Sequence, residues 1–287
     1  MINYPEQFVF EISGIIDAAV NWILSTFRGL FDIISDVVLS LFFGFDTVLS
    51  NIPWWVYILL LFFAGFKLYN WVVGLVLSSL LFFIAMFGLW DPMIYTLVII
   101  SISVFASIVI GIPSGIIMAK SKRVEKIFKP ILDGMQTMPS FVYLIPAVML
   151  FGIGRVPAVV ATTIYAVPPL IRLTYLGITN VNKEVIEAGK SFGSTPRQML
   201  FKIELPQAIS TIMTGINQTT MMAMAMVVIA SLVGAEGIGD VVLVSIRRLQ
   251  VGRGFQAGLS IVFLAIILDR LFQGFALKYS HKEGLDG

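Results

Sequence analysis

The stretch EAGKSFGSTPRQMLFKIELP, residues Glu187–Pro206, is polar and basic, yet it lies between hydrophobic segments that are long enough to cross a bilayer. Its local pattern predicts two helices joined by a turn. Gly193 suits the left-handed residue that commonly ends a helix. Thr195 and Gln198 have the spacing of a capping box, and Pro196 falls at the first helical position, so a second helix is expected to begin there.

Small and charged residues in this stretch predict a docking surface. Ala188 and Gly189 lack bulk, so a partner protein is expected to approach their backbone closely, and Glu187 is the acid best placed to pair with that partner. Pro206 is expected to follow the second helix and to mark the return of the chain into the membrane. The simpler interpretation is an amphipathic connector between two spans.

The composition of the whole chain requires lipid as a solvent. The 287 residues are 58% hydrophobic and 13% charged, with a mean hydropathy of +0.94, whereas a soluble domain has about 25% charged residues. The net charge of +2 does not suggest nucleic acid as a partner. The chain has no cysteine, and its one histidine is His281, so disulfides, metal sites and Ser-His-Asp chemistry are not expected. We therefore predict an all-α integral membrane protein that is not an enzyme and has no catalytic or metal-binding residues.

Seven apolar segments are predicted to span the membrane as helices. Their ranges are 53–66, 72–90, 93–119, 131–151, 156–170, 209–233 and 257–275. The fourth is expected to bend or break at Pro139 and Pro146, and the fifth to be interrupted at Pro168-Pro169.

The N-terminal segment has a different pattern, because polar residues recur every three or four positions between Asp17 and Ser40. This stripe predicts one or two amphipathic helices in the membrane surface, with a break at Gly29. Packing of the stripe against the other helices is the alternative interpretation, and the two are compatible. The predicted organisation is an N-terminal segment, an accessory hairpin, a core with a polar insert, and a tail. Their ranges are 1–52, 53–92, 93–277 with the insert at 171–206, and 278–287.

Lysines and arginines are unevenly divided between the two sides of this predicted topology. Fourteen of the 19 fall on the side that holds Lys67, residues 120–129, the insert and the tail. Since cytoplasmic loops are enriched in these residues, that side is predicted to be cytoplasmic. The N-terminus is then outside and the C-terminus inside.

The insert resembles the EAA loop of ABC importer permeases, a motif that reads E-A-A, three residues, G, nine residues and I-x-L-P. The matching residues here are Glu187, Ala188, Gly189, Gly193, Ile203, Leu205 and Pro206. Gly189 is the one departure, since it replaces the second alanine. Two further stretches, LDGMQTMPSFVYLIPAVMLFGIGRVPAVVATTIYAVPPLIRLTYLGI and ASLVGAEGIGDVVL, are similar to permeases for glycine betaine and proline-type osmoprotectants, and the likeness covers about Met93 to Phe275.

This resemblance implies a type I ABC importer permease fold in a prokaryotic cytoplasmic membrane. It implies a second copy of the chain, two ATPase subunits and a separate extracytoplasmic substrate-binding protein as partners. The seven motif residues are then expected to couple the permease to the ATPase. No cofactor is expected on this chain, and ATP and Mg are expected on the ATPase partner. The AGKS tetrapeptide, Ala188–Ser191, lacks the first glycine of a nucleotide-binding P-loop.

A zwitterion that crosses the bilayer needs a polar path lined by protein. The candidates for this path are Gln136, Thr137, Phe141, Tyr143, Tyr165, Asn217, Gln218 and Thr219. For each of them, simple helix packing is the competing interpretation. Carnitine, choline and proline are alternative substrates. A secondary transporter is the competing functional class, although Asp133 and Asp269 lie too near the inner ends of their spans to form an obvious ion site.

Overall fold

A computed structural model describes the backbone of residues 13–283 and the side chains of residues 13–276. Residues 1–12 of the predicted N-terminal segment, and the side chains of the predicted tail, lie outside this described part. Every regular element within it is helical. The α-helices are α1 (Ser13–Ser50), α2 (Trp54–Leu68), α3 (Trp71–Met86), α4 (Trp90–Lys120), α5 (Lys122–Thr137), α6 (Leu144–Phe151), α7 (Arg155–Thr179), α8 (Lys183–Ser191), α9 (Pro196–Met199), α10 (Leu205–Ala230), α11 (Ile238–Arg247) and α12 (Val251–Glu283). The all-α membrane fold is therefore confirmed.

The seven predicted spans all coincide with helices, but they differ in length. Five helices of the described part are long and apolar enough to cross a membrane, α1 among them, and α5 with α6 adds a sixth, bent span. The first two predicted spans form α2 and α3, with only 15 and 16 residues, where a crossing needs about 20.

The α2–α3 hairpin is closed by two glycines that face each other. A Cβ atom on Gly65 would lie 2.7 Å from the Cα of Gly74, so a larger residue would force the helices apart. The Asn70 side chain caps α3 by accepting a hydrogen bond of 2.9 Å from the Val73 N–H. Tyr69 and Asn70 form the short turn between the two helices.

The core of the bundle consists of α4, α7 and α10. Helices α4 and α7 are parallel. Gly111 lies against Leu170 and Gly115 against Thr174, so the contacts follow the same order along both helices. Helix α10 is antiparallel to α7. Small residues allow these approaches: a Cβ on Gly115 would lie 2.6 Å from the Thr174 Cβ. Close packing of this kind replaces the hydrophobic effect as the attraction between helices in lipid.

The prolines divide into those that break a helix and those that do not. The predicted break at Pro139 is confirmed, because α5 and the segment Ser140–Phe151, a 3₁₀ turn followed by α6, meet at an angle of 111°. Pro146 lies inside α6 and does not break it. The predicted interruption at Pro168-Pro169 is wrong, since α7 continues through both prolines to Thr179. Both prolines are buried against neighbouring helices, which offsets the backbone cost of about 3 kcal/mol or more for each proline.

Helix α1 contacts the bundle at one end only. Phe42 stacks on Tyr95 near the start of α4, with ring centroids 6.2 Å apart, and Phe31 meets Phe151 at the end of α6. Its kink lies at Phe27, not at the predicted Gly29. Since α1 is also long and apolar enough to cross a bilayer, its placement in the membrane surface stays a prediction.

The two ends of the bundle are built differently. At the α1 end, the Ile238 N–H donates to Thr96 Oγ1 over 2.9 Å, and Arg155 forms an ion pair of 2.8 Å with Glu236. At the opposite end, α7 and α10 are joined by the polar insert, where Gly177 packs on Ala208. The insert therefore lies at the end of the bundle away from α1.

Candidate coupling insert and translocation path

The first helix of the insert, α8, ends in a Schellman motif. Gly193 has a φ of +73°, and its N–H donates to the Lys190 carbonyl over 2.9 Å. The Ser194 N–H donates to the Gly189 carbonyl over 3.1 Å. These two bonds satisfy carbonyls that the end of a helix otherwise leaves unpaired. The predicted left-handed turn is thus confirmed.

A capping box begins the second helix of the insert. The Gln198 N–H donates to Thr195 Oγ1 over 3.3 Å, and the Thr195 N–H donates to Gln198 Oε1 over 2.8 Å. Pro196 occupies the first turn, where its missing N–H costs nothing. This predicted start is also confirmed, and it fixes the angle between the two helices of the insert.

The sequence predicts that the second helix ends before Pro206, and this prediction is wrong. Helix α9 leads into a π turn at Leu200–Glu204 and then directly into α10. The Leu205 N–H bonds to the Leu200 carbonyl, five residues back. This wider turn accommodates Pro206, which has no N–H and whose ring would crowd the carbonyl four residues earlier in a regular helix. The insert and the spanning helix are consequently one continuous body.

Gly189 serves the packing inside the insert, and the prediction that it admits a partner is wrong. Gly189 is buried, and a Cβ atom there would lie 2.5 Å from Ile203 Cδ1 and 2.9 Å from Met199 Cε. Its missing side chain therefore lets α8 lie against the second helix. Glycine in place of the second alanine of the EAA motif therefore allows this close contact.

The exposed side chains of the insert include Glu187, Ala188 and Phe192. The first two are exposed, as predicted. Phe192 was missed by sequence reasoning, and its side chain is 90% exposed at the tip beside Gly193. A bulky apolar residue directly before a left-handed glycine was the available signal. The ring is therefore accessible at the tip of the insert.

The I-x-L-P residues attach the insert to the bundle. Ile203 is half-buried over Gly189, and Leu205 packs against the cluster that contains Ile178 and Ala208. Pro206 is half-buried at the start of α10. These three residues therefore support the docking face from behind and do not themselves form it.

The predicted path residues fall into two groups. Four are exposed on the protomer surface: Gln136, Thr137, Phe141 and Gln218. The other four face inward or are half-buried: Tyr143, Tyr165, Asn217 and Thr219. Among these, the Tyr143 and Tyr165 rings meet edge to face at 5.7 Å, and the Asn217 amide donates to Asp269 Oδ1 over 2.9 Å.

The two groups differ in exposure, and their role in a path stays a prediction. Gln136 and Thr137 end α5, Phe141 lies in the following 3₁₀ turn, and that turn contacts α10, which carries Gln218. Polar amides at membrane depth require cover by protein or a water-filled space. The structure thus exposes half of the predicted residues and gives hydrogen-bonding or packing contacts to most of the others.

Comparison with known proteins places these features in a family. Residues 111–281 match the family described as "Binding-protein-dependent transport system inner membrane component". The chain is 49% identical to the glycine betaine/carnitine transport permease protein GbuB of Listeria monocytogenes, over 97% of this chain and 99% of that protein. It is 46% identical to the glycine betaine transport system permease protein OpuAB of Bacillus subtilis, over 93% and 95%.

Other similarities concern a further relative and a solved structure. The glycine betaine/proline betaine transport system permease protein ProW of Escherichia coli is 47% identical, over 88% of this chain and 72% of that protein. An inward-facing structure of the MetNI methionine ABC transporter aligns with a TM-score of 0.61 at 20% identity, over 68% of this chain and 97% of that chain. This structural likeness shows the fold.

Gly193 provides a test of the insert that separates backbone from side-chain effects. No atom lies within 4 Å of the position that a Cβ would take there, so the cost of a substitution is conformational. We expect Gly193→Val to destabilise the turn by about 1–2 kcal/mol, and Gly193→Asn to keep it because asparagine tolerates the left-handed region. Co-purification of the ATPase with each variant measures the effect. Equal retention of the ATPase by both variants would contradict a coupling role for this turn.

Proposed function

We infer that this chain, which belongs to the family of binding-protein-dependent transport system inner membrane components, is the permease subunit of an ATP-driven importer for glycine betaine. The transport role is inferred from the insert, because its second helix continues directly into the spanning helix α10. The substrate is proposed from the names of relatives that match nearly the whole chain.

ATP and Mg are proposed to bind to a partner ATPase. A phosphate-binding loop needs free backbone N–H groups that point at the ligand. The AGKS tetrapeptide lies instead within α8, and the Schellman motif at its end uses the local carbonyls. Its lysine is an ordinary exposed side chain of the insert. We therefore propose that the energy source is a separate subunit, which the exposed face around Phe192 would engage.

A second copy of this chain is proposed to complete the path. The exposed amides of Gln136 and Gln218 cannot face lipid without a large cost, and a symmetric partner would enclose them. A separate binding protein would deliver substrate at the end that carries the Arg155–Glu236 pair. Phe141, 56% exposed, is an aromatic ring available on this surface for weak cation–π attraction to a quaternary ammonium group.

A secondary transporter is the second candidate function, and the contacts of its best carboxylates count against it. Asp133 forms an ion pair of 2.6 Å with Arg172. Asp269 accepts hydrogen bonds from Asn217 and Gln273. Both carboxylates therefore tie helices together, whereas ion coupling needs an acidic group that is open to the transported ion.

Uptake in proteoliposomes tests the proposed energy source. We expect vesicles that contain the permease and its ATPase, supplied with the binding protein, to accumulate labelled glycine betaine only with internal ATP and with the membrane potential collapsed. Competition by carnitine, choline and proline ranks the alternative substrates. Uptake driven by an ion gradient without ATP would favour the secondary transporter.

Substitution of Phe192 tests the docking face. A buried aromatic anchor at a protein interface contributes about 2 kcal/mol or more, so we expect Phe192→Ser to weaken ATPase binding about 30-fold. Phe201→Ser is the matched control, because Phe201 is 65% exposed on the second helix and not at the tip. Binding of the ATPase to detergent-solubilised permease gives the affinities. An unchanged affinity for Phe192→Ser would exclude the tip from the interface.

Cysteine labelling tests the proposed orientation, and the chain has no natural cysteine to interfere. Ser25 and Lys126 are both exposed, on α1 and α5. We expect Ser25→Cys to react with an impermeant thiol reagent in intact cells, and Lys126→Cys to react only after the membrane is opened, because lysine-rich loops stay in the cytoplasm. The reverse pattern of labelling would invert the topology.

A further inference from the structure

Glu204 is a buried acid at the variable position of the I-x-L-P motif. It is 7% exposed in the π turn and forms an ion pair with Lys120, the last residue of α4. Among the described residues, this is the only side-chain hydrogen bond or ion pair between residues 182–204 and any other part of the chain. The contact therefore joins residues 182–204 of the insert to α4, a helix that does not adjoin them in the chain.

The pair crosses an open cleft between α4 and the insert. Helix α8 packs mainly on α9 and the π turn. Two cavities, of about 380 Å³ and 690 Å³, are both lined by Lys120 and Glu204. Ala119 of α4 and Leu200 of the π turn pack against one apolar cluster beside these cavities, and the two charged side chains add a polar link across the gap.

The π turn directs two adjacent side chains toward different helices. Ile203 points to α8, where it covers Gly189. Glu204, the next residue, points to α4. A single turn of helix therefore contacts α8 of the insert on one side and α4 of the spanning bundle on the other. Wide turns of this kind are frequent at functional sites.

We propose that Lys120 and Glu204 are positioning residues that carry the movement of the insert to α4. The proposal rests on the coupling function inferred for the insert. Helices α7 and α10 receive that movement through the chain itself, since they flank the insert. Helix α4 packs against both of them, and the ion pair gives it a direct contact with the moving part.

The chemistry of the pair suits a link that must hold while its ends shift. Glu204 is desolvated, so its charge requires a partner. The Lys120 side chain is 43% exposed, and its flexible stem can follow a displacement that a close-packed apolar contact would resist. The pair therefore keeps the insert in register with α4 without making the cleft rigid.

The test compares assembly with coupling in the complete transporter. The variants are Glu204→Gln, Lys120→Met, the exchange of both residues (Lys120→Glu with Glu204→Lys), and Lys126→Met as a control. Lys126 is an exposed lysine of α5 that forms no ion pair among the described residues. Each is measured for ATPase co-purification, hydrolysis without binding protein, hydrolysis stimulated by loaded binding protein, and betaine uptake per ATP.

We expect both single variants to assemble and to retain unstimulated hydrolysis, because Phe192, Glu187 and Ala188 are unchanged. Stimulated hydrolysis and uptake per ATP should fall on the order of tenfold, within the usual range of coupling between sites. The exchange should recover a large part of the loss, and Lys126→Met should behave as the wild type.

Two results would overturn the proposal. One is wild-type stimulation and uptake in both single variants. The other is loss of assembly in both without recovery in the exchange, which would make the pair only structural. If the wild-type complex itself shows no ATP-dependent uptake, the proposed transport function fails instead.

Discussion

The continuous helix from Pro196 to Val233 is the constraint on which the rest of the arrangement depends. A break in a spanning helix frees backbone groups that lipid cannot satisfy, so protein or water must satisfy them. The chain meets this condition at Pro206 by widening one turn, so that the helix passes from the insert into the bundle without a gap. Any rotation of the insert is therefore also a rotation of α10. A flexible connector at the same place would absorb the movement.

Local hydrogen-bond chemistry explains which parts of the site the sequence could predict. Gly193, Thr195 and Gln198 act through partners within five residues, so their pattern is readable without the fold. The helical segments were likewise predictable, because the apolar runs are long and lipid permits little else. The family resemblance to betaine permeases rested on the same readable spacings, and the comparisons bear it out.

Residues whose role depends on distant neighbours could not be predicted in this way. The local pattern predicts that Gly189 is open to a partner, but Ile203, fourteen positions later, covers it. It also predicts that Pro168-Pro169 interrupts a span, but burial between helices keeps α7 intact. The sequence also does not show that the Asn217 amide donates to Asp269 on α12. In each case the decisive contact comes from another helix, and the sequence does not specify which helices are adjacent.

Charge placement shows how the two ends of the bundle are kept in register. The ion pairs between separate elements join α4 to the π turn, α5 to α7, and Arg155 of α7 to Glu236 in the loop before α11. Arg155 also lies over the Phe42 ring of α1 at 4.7 Å. The length of α7 and α10 between these ends is packed closely through glycines such as Gly177 and Gly215. A close-packed antiparallel pair moves as one body, so a tilt imposed at the insert displaces the opposite end, where Arg155 holds α1 and the outer loop together.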